Sequence, residues 1–178
     1  VLGYGFIGKH IVKYLRGFNN KFYIYKKSKS KDTKNIRFVN LNHIAKISDI
    51  IFVCLPLTNL TKDLINKQTF KIFKNNLILV NVARAEIINE DSLYDFLRKQ
   101  KIAGAAMDVW YNKLNYKNPK NRLSSKHYFT KLSNLLISPH RAGYILNNSF
   151  HLDDAVENLI NFHKNKKIKN IVNIKDGY

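Results

Sequence analysis

The apolar residues of the chain fall into short runs whose spacing alternates between two kinds. Ile7, Ile11, Tyr14, Leu15 and Phe18 recur at helical spacing and predict one face of a helix, ended by Gly17 and the pair Asn19 and Asn20. Residues 22–25 are a short β-prone run and predict a strand. Residues 43–47 read as a short helix. Residues 50–55 are an unbroken apolar run, the pattern of a strand buried on both faces, and residues 77–82 predict the next buried strand. Asn89, followed by Glu90 and Asp91, starts a further helix as its N-cap, with the carboxylates on the positive end of the dipole. Leu93, Phe96 and Leu97 give that helix its core face. Residues 102–109 are mostly small and apolar and predict a central strand ending at Asp108. Residues 111–134 lose periodicity and read as a long surface loop. Residues 135–138 predict the last strand. A final helix is marked by Asp153 and Asp154 in its first half and by Val156, Leu159, Ile160 and His163. This strand–helix alternation predicts an α/β fold, a doubly wound parallel sheet of the Rossmann type.

The glycines sharpen the first unit. Gly3, Gly5 and Gly8 stand at G-x-G-x-x-G spacing between an apolar entry and an amphipathic run. In a strand–turn–helix unit the first glycine permits a tight turn, the second lets backbone approach a pyrophosphate, and the third lets helix and strand pack closely. Only Val1 and Leu2 precede Gly3, whereas a buried strand runs about five residues. The strand is therefore expected to start upstream, making this chain a fragment of a longer one.

Composition limits the alternatives. The chain has 178 residues, of which 45% are hydrophobic, enough for one domain with a core. No apolar run approaches the roughly 18 residues of a membrane span. A single cysteine, Cys54, rules out an intramolecular disulfide framework and fits a reducing compartment, the cytoplasm. No histidine or cysteine spacing suggests a metal site. The net charge of +19 raises nucleic-acid binding, but the lysines are scattered rather than gathered into a patch, so a solvated basic surface is the better reading.

The chemistry-bearing side chains sit at strand ends. After residues 22–25 a NAD-binding fold usually carries an acidic residue for the ribose hydroxyls. Here Lys26 and Lys27 open the run Lys-Lys-Ser-Lys-Ser-Lys, which suits a 2′-phosphate and favours NADP over NAD. Pro56 ends residues 50–55, and Thr61 follows, either as a ligand contact or as a helix cap. Arg84 is a cation beyond residues 77–82 and matches a carboxylate in bidentate geometry. Asp108 ends the central strand, and His140 follows the last one.

Five stretches together resemble the nucleotide-binding domain of the D-isomer-specific 2-hydroxyacid dehydrogenase family. They are GYGFIGKHI (3–11), SDIIFVCLPLTNLTKDLI (48–65), LVNVARAEIINEDSL (79–93), AGAAMDVW (103–110) and LLISPHRAGY (135–144). The resemblance implies an oxidoreductase that moves a hydride between NAD(P) and a small 2-hydroxy or 2-oxo acid. It implies that Arg84 holds the substrate carboxylate, that His140 is the acid/base, and that Asp108 bonds the nicotinamide carboxamide. Gly3, Gly5, Phe6 and Ile7 would surround the pyrophosphate, Pro56 and Thr61 would lie by the adenosine half, and Gly8, Lys26, Lys27 and Leu55 are further cofactor-binding candidates. Val82, Ala142 and Gly143 complete the implied cofactor set.

The resemblance also divides the chain. Residues 1–147 would be the dinucleotide-binding domain, and residues 148–178 a helix and tail returning to an absent substrate domain. A homodimer through the nucleotide-binding domain is expected. Two departures stand out: Lys113 occupies the place of a carboxylate that orients the histidine in the family, and Ala85 replaces a usual glycine. Lys113 keeps open a second reading, a nucleotide-sensing or interaction module without catalysis.

Overall fold

The computed structural model describes residues 1–28, 30–111, 125–143 and 150–175. The chain divides into two compact units, Val1–Ala142 and Gly143–Tyr178.

The first unit is built on parallel strands. Strands β1 (Phe22–Ile24) and β2 (Ile36–Phe38) pair with each other, and β3 (Ile50–Val53), β4 (Ile78–Asn81), β5 (Gly104–Met107) and β6 (Leu135–Ile137) form a second set in that order. Val1 and Leu2 join the two sets. Leu2 bridges Tyr25 on one side and Val53 on the other, with Leu2 N–H donating to Phe52 O at 2.8 Å and Cys54 N–H to Leu2 O at 2.7 Å. The strand order is thus β2, β1, residues 1–2, β3, β4, β5, β6. That is the doubly wound arrangement expected from the sequence, with its reversal of winding beside the glycine turn.

Alternation across the sheet sorts the helices onto two faces. Leu2, Ile51, Val53, Leu79, Ala105 and Met107 belong to the larger core. They pack with α2 (Leu41–Ile47), α3 (Lys67–Lys71) and α4 (Glu90–Arg98). On the other face Val1, Phe22 and Ile24 pack with Val12 of α1 (Phe6–Leu15). Asn89 caps α4 by accepting from Ser92 N–H at 3.1 Å, and Leu93, Phe96 and Leu97 are its buried apolar residues, as the sequence predicts.

Four expectations need correction. First, α1 buries Gly8 and Val12, with Ile11 and Leu15 partly buried, while Tyr14 and Phe18 are exposed and Ile7 is half exposed. The close approach of Gly8 to the strand sets the rotation of the helix, and periodicity alone mis-assigns its face. Second, β3 and β4 are not buried on both faces. Ile50 and Ile78 are exposed, because α1 covers the sheet only as far as Phe52 and Cys54. Third, the surface loop expected over 111–134 does not extend to its end. Phe129 is fully buried in the larger core and meets Tyr94, Trp110 and Tyr111 ring to ring. Fourth, Thr61 caps no helix, since Asn66 caps α3 by accepting from the N–H groups of Gln68 and Thr69. Strand β2 is an addition that the apolar pattern does not announce.

The second unit is α5 (Phe150–His163) and its tail. Asn158 ties the tail back, accepting from Lys169 N–H at 2.8 Å and donating to Lys169 O at 3.1 Å. Leu152, Val156 and Leu159 line one side of α5 and are exposed. No helix among the described residues is long and apolar enough to cross a membrane.

Candidate active site at the strand ends

The register of the sheet defines one row. Tyr25, Leu2, Val53, Asn81, Met107 and Ile137 are paired neighbours across it. The residues that follow this row are Lys26, Gly3, Cys54, Val82, Asp108 and Ser138. Parallel strands put all six on one rim, over roughly 24 Å at about 4.8 Å per strand. Every candidate residue of the first unit lies on this rim or a few positions beyond it.

Gly3 anchors the rim. Its φ is +96°, and a Cβ there would lie 2.6 Å from Cys54 O. A Cβ on Gly8 would lie 2.2 Å from Gly3 O, so α1 can rest on the turn only without one. Gly5 differs. A Cβ there would meet nothing within 4 Å, so no contact among the described residues demands glycine. Gly5 is the N-cap of α1 and offers no side-chain cap to the first-turn N–H groups. Phe6 is exposed and Ile7 half exposed beside them. An open glycine at a bare helix N-terminus is a cradle for an anion of pyrophosphate size. The residues present fit a dinucleotide.

Lys26 donates to Ser30 Oγ at 2.9 Å and lies 5.8 Å above the Phe38 ring. Lys27 is exposed. The one acid between Lys26 and Phe38 is Asp32, and it is engaged by Phe38 N–H at 2.8 Å and Arg37 at 3.4 Å. Leu55 and Pro56 are half-buried after β3. The Thr61 hydroxyl donates to Pro56 O at 2.6 Å and accepts from Thr58 N–H at 2.8 Å, which closes the loop of 56–61 on itself.

Arg84 stands two residues beyond the rim. Asn81, fully buried at the end of β4, accepts from Ala83 N–H at 3.0 Å and donates to Arg84 O at 2.9 Å. This bracket fixes the backbone of 81–84. The Arg84 guanidinium is exposed, donates to Ala83 O at 2.7 Å, and has no ion-pair partner among the described residues. Sequence reasoning gave Asn81 no role, although an amide ending a run of apolar strand residues was its signal.

Asp108 is buried at the end of β5, the strand between those that precede Arg84 and His140. Its carboxylate accepts from Arg141 N–H at 2.7 Å, from Ala142 N–H at 3.0 Å and from the Ser138 hydroxyl. Burial works against its charge, but the Ser138 hydroxyl, these two N–H groups and nearby His140 outweigh it and hold the carboxyl below the usual aspartate range. The folded pKa is depressed, so the stability this carboxylate contributes is present above the ordinary aspartate pKa. It is lost as pH falls through the lower folded value.

His140 is exposed and sits at φ +58°, a left-handed conformation that costs a non-glycine residue about 1 kcal/mol. Ala142 and Gly143 follow, both exposed. Lys113 lies outside the described residues.

The family comparison meets this geometry. Residues 1–142 match the family model for the D-isomer specific 2-hydroxyacid dehydrogenase, NAD binding domain. The chain belongs to this family. It is 31% identical over 143 residues to the glyoxylate reductase of Pyrococcus horikoshii, covering 79% of this chain and 40% of that protein. Among solved structures, an acyclic imino acid reductase in complex with NADPH and D-Arg superposes with a TM-score of 0.81. Its sequence identity is 25%, over 96% of this chain and 52% of that one. The NAD-complexed D-isomer specific 2-hydroxyacid dehydrogenase of Lactobacillus delbrueckii ssp. bulgaricus shares the fold at a TM-score of 0.83. Its identity is 22%, over 97% of this chain and 55% of that one. The chain therefore spans about half the length of the relatives it matches. It comprises the NAD(P)-binding domain of the family.

Proposed function

We propose that this domain serves an enzyme that reduces small 2-oxo acids, or oxidises the corresponding 2-hydroxy acids. The observation that carries the proposal is the order along the rim. Arg84, Asp108 and His140 follow three adjacent strands, on the same rim as a glycine turn whose second glycine answers to no contact among the described residues. A bound nicotinamide supplies or accepts the hydride. His140 protonates the carbonyl oxygen as alkoxide character develops, or takes the proton in the reverse direction, a task suited to imidazole near neutral pH. Arg84 pairs with the acid's carboxylate and faces the developing negative charge. Asp108 and the other implied cofactor contacts, Val82, Ala142 and Gly143, bound the nicotinamide end.

The second half of the cleft belongs to a substrate domain. Two observations favour this: relatives about twice as long, and the exposed apolar side of α5 at Leu152, Val156 and Leu159. A homodimer rests on the family resemblance. A reducing compartment, the cytoplasm, fits the lone Cys54 thiol, which burial pushes up to about 11 and so keeps protonated. A purely nucleotide-sensing role is the weaker reading, because the relatives matched are named as reductases and dehydrogenases.

The adenosine end favours NADP. The carboxylate of Asp32 is occupied, and Lys26, Lys27, Ser28 and Ser30 line the stretch after β1. The test is an assay of the full-length protein on glyoxylate, pyruvate and hydroxypyruvate with NADH and NADPH. Turnover is expected on at least one acid, with NADPH preferred. Lys26→Asp should shift the ratio of kcat/KM toward NADH by about tenfold, the equivalent of one lost charge-assisted contact. An unchanged ratio overturns the NADP assignment. Absence of turnover on every acid with either cofactor overturns the enzymatic reading.

A further inference from the structure

The loop that carries His140 is gripped from two sides. From below, the Asp108 carboxylate takes the N–H groups of Arg141 and Ala142 and the hydroxyl of Ser138. From the side, Trp110 Nε1–H donates to the carbonyl of Ser138 at 3.0 Å. These contacts straddle His140 in sequence, at Ser138 before it and at Arg141 and Ala142 after it. Between them His140 holds φ +58°, a left-handed conformation uncommon for a residue other than glycine. The indole is itself fixed. Its ring stands 63° to that of Phe129 at 5.7 Å, and Phe129 is fully buried.

We propose that Trp110 is a positioning residue. Its indole N–H on Ser138 O completes a clamp, with Asp108 as the other jaw, that sets the left-handed backbone from which His140 is presented. The inference rests on the proposed role of His140 for its catalytic consequence, but not for the clamp itself. Asp108 leaves the strand end two residues before Trp110, so the two jaws move as one piece with the end of β5. A side chain three positions beyond β6 is thereby tied to the neighbouring strand rather than to its own.

The substitution that isolates the N–H is Trp110→Phe, which keeps an aromatic ring against Phe129. Two readouts separate the clamp from the chemistry. The first is amide hydrogen exchange in the full-length protein. The amides of Arg141 and Ala142 should exchange about two- to tenfold faster in the variant, the range expected for one net hydrogen bond, while those of β3 and β4 stay unchanged. The second is kinetic. kcat should fall by a similar factor with the KM for the cofactor within about twofold, since a loosened loop presents the histidine less often without removing a cofactor contact. Unchanged exchange at Arg141 and Ala142 overturns the clamp, whatever the activity. Faster exchange with unaltered kcat keeps the clamp but overturns its role in positioning His140. Should the unsubstituted protein reduce no acid, the enzymatic reading fails and the exchange experiment still decides the clamp.

Discussion

Replacing His140 with glutamine in the full-length protein should lower kcat for 2-oxo acid reduction by about 10²- to 10⁴-fold, the range for loss of a general acid. Cofactor affinity should stay within a few-fold. Glutamine keeps polarity and approximate reach but cannot deliver a proton. The loop itself should survive, because its grip comes from the Arg141 and Ala142 amides and the Ser138 hydroxyl on Asp108, none of which belongs to the His140 side chain. Steady-state kinetics with a parallel cofactor titration measures both quantities. A kcat within tenfold of the unsubstituted protein would remove His140 from the chemistry.

The second large effect is on folding. Gly3→Ala should destabilise the domain by about 3 kcal/mol, combining the strain of an L-residue at φ +96° with a Cβ 2.6 Å from Cys54 O. The clash is with backbone in the centre of the sheet, where Leu2 links β1 to β3, so no side chain can swing away to relieve it. Urea denaturation should show a lower midpoint at an unchanged slope. A loss under 1 kcal/mol would mean that the turn relaxes more easily than its contacts indicate.

Much of this architecture was legible in the sequence, for local reasons. The runs around Ile50 and Ile78 announce strands through consecutive apolar side chains, and Asn89 with Glu90 and Asp91 announces α4 through capping chemistry. Once the strands are counted, Arg84, Asp108 and His140 fall at the ends of three of them, and parallel pairing brings those ends to one rim. What escaped depends on partners distant in sequence. Strand β2 is three residues long and includes the exposed Arg37. Its evidence is its pairing with β1. The side chains of Tyr14 and Phe18 have helical spacing yet face out, because a glycine contact fixes the rotation of α1. Thr61 spends its hydroxyl on its own loop. The family resemblance implies a ligand contact for Asp108, and nothing in the sequence announces that its carboxylate organises a loop that begins thirty residues later.

The central claim is that the rim binds a nicotinamide dinucleotide across the open glycine, and Gly5→Ala tests it most directly. The added methyl meets no described atom within 4 Å, so stability should fall only by the roughly 1 kcal/mol that alanine costs in place of glycine at an N-cap. Calorimetric titration with NADPH and with NADH should show binding to the unsubstituted protein and at least about tenfold weaker binding to the variant, because the methyl occupies the space that backbone must leave for the pyrophosphate. Binding of neither dinucleotide to the unsubstituted protein, or undiminished binding by a stably folded Gly5→Ala, would contradict the account.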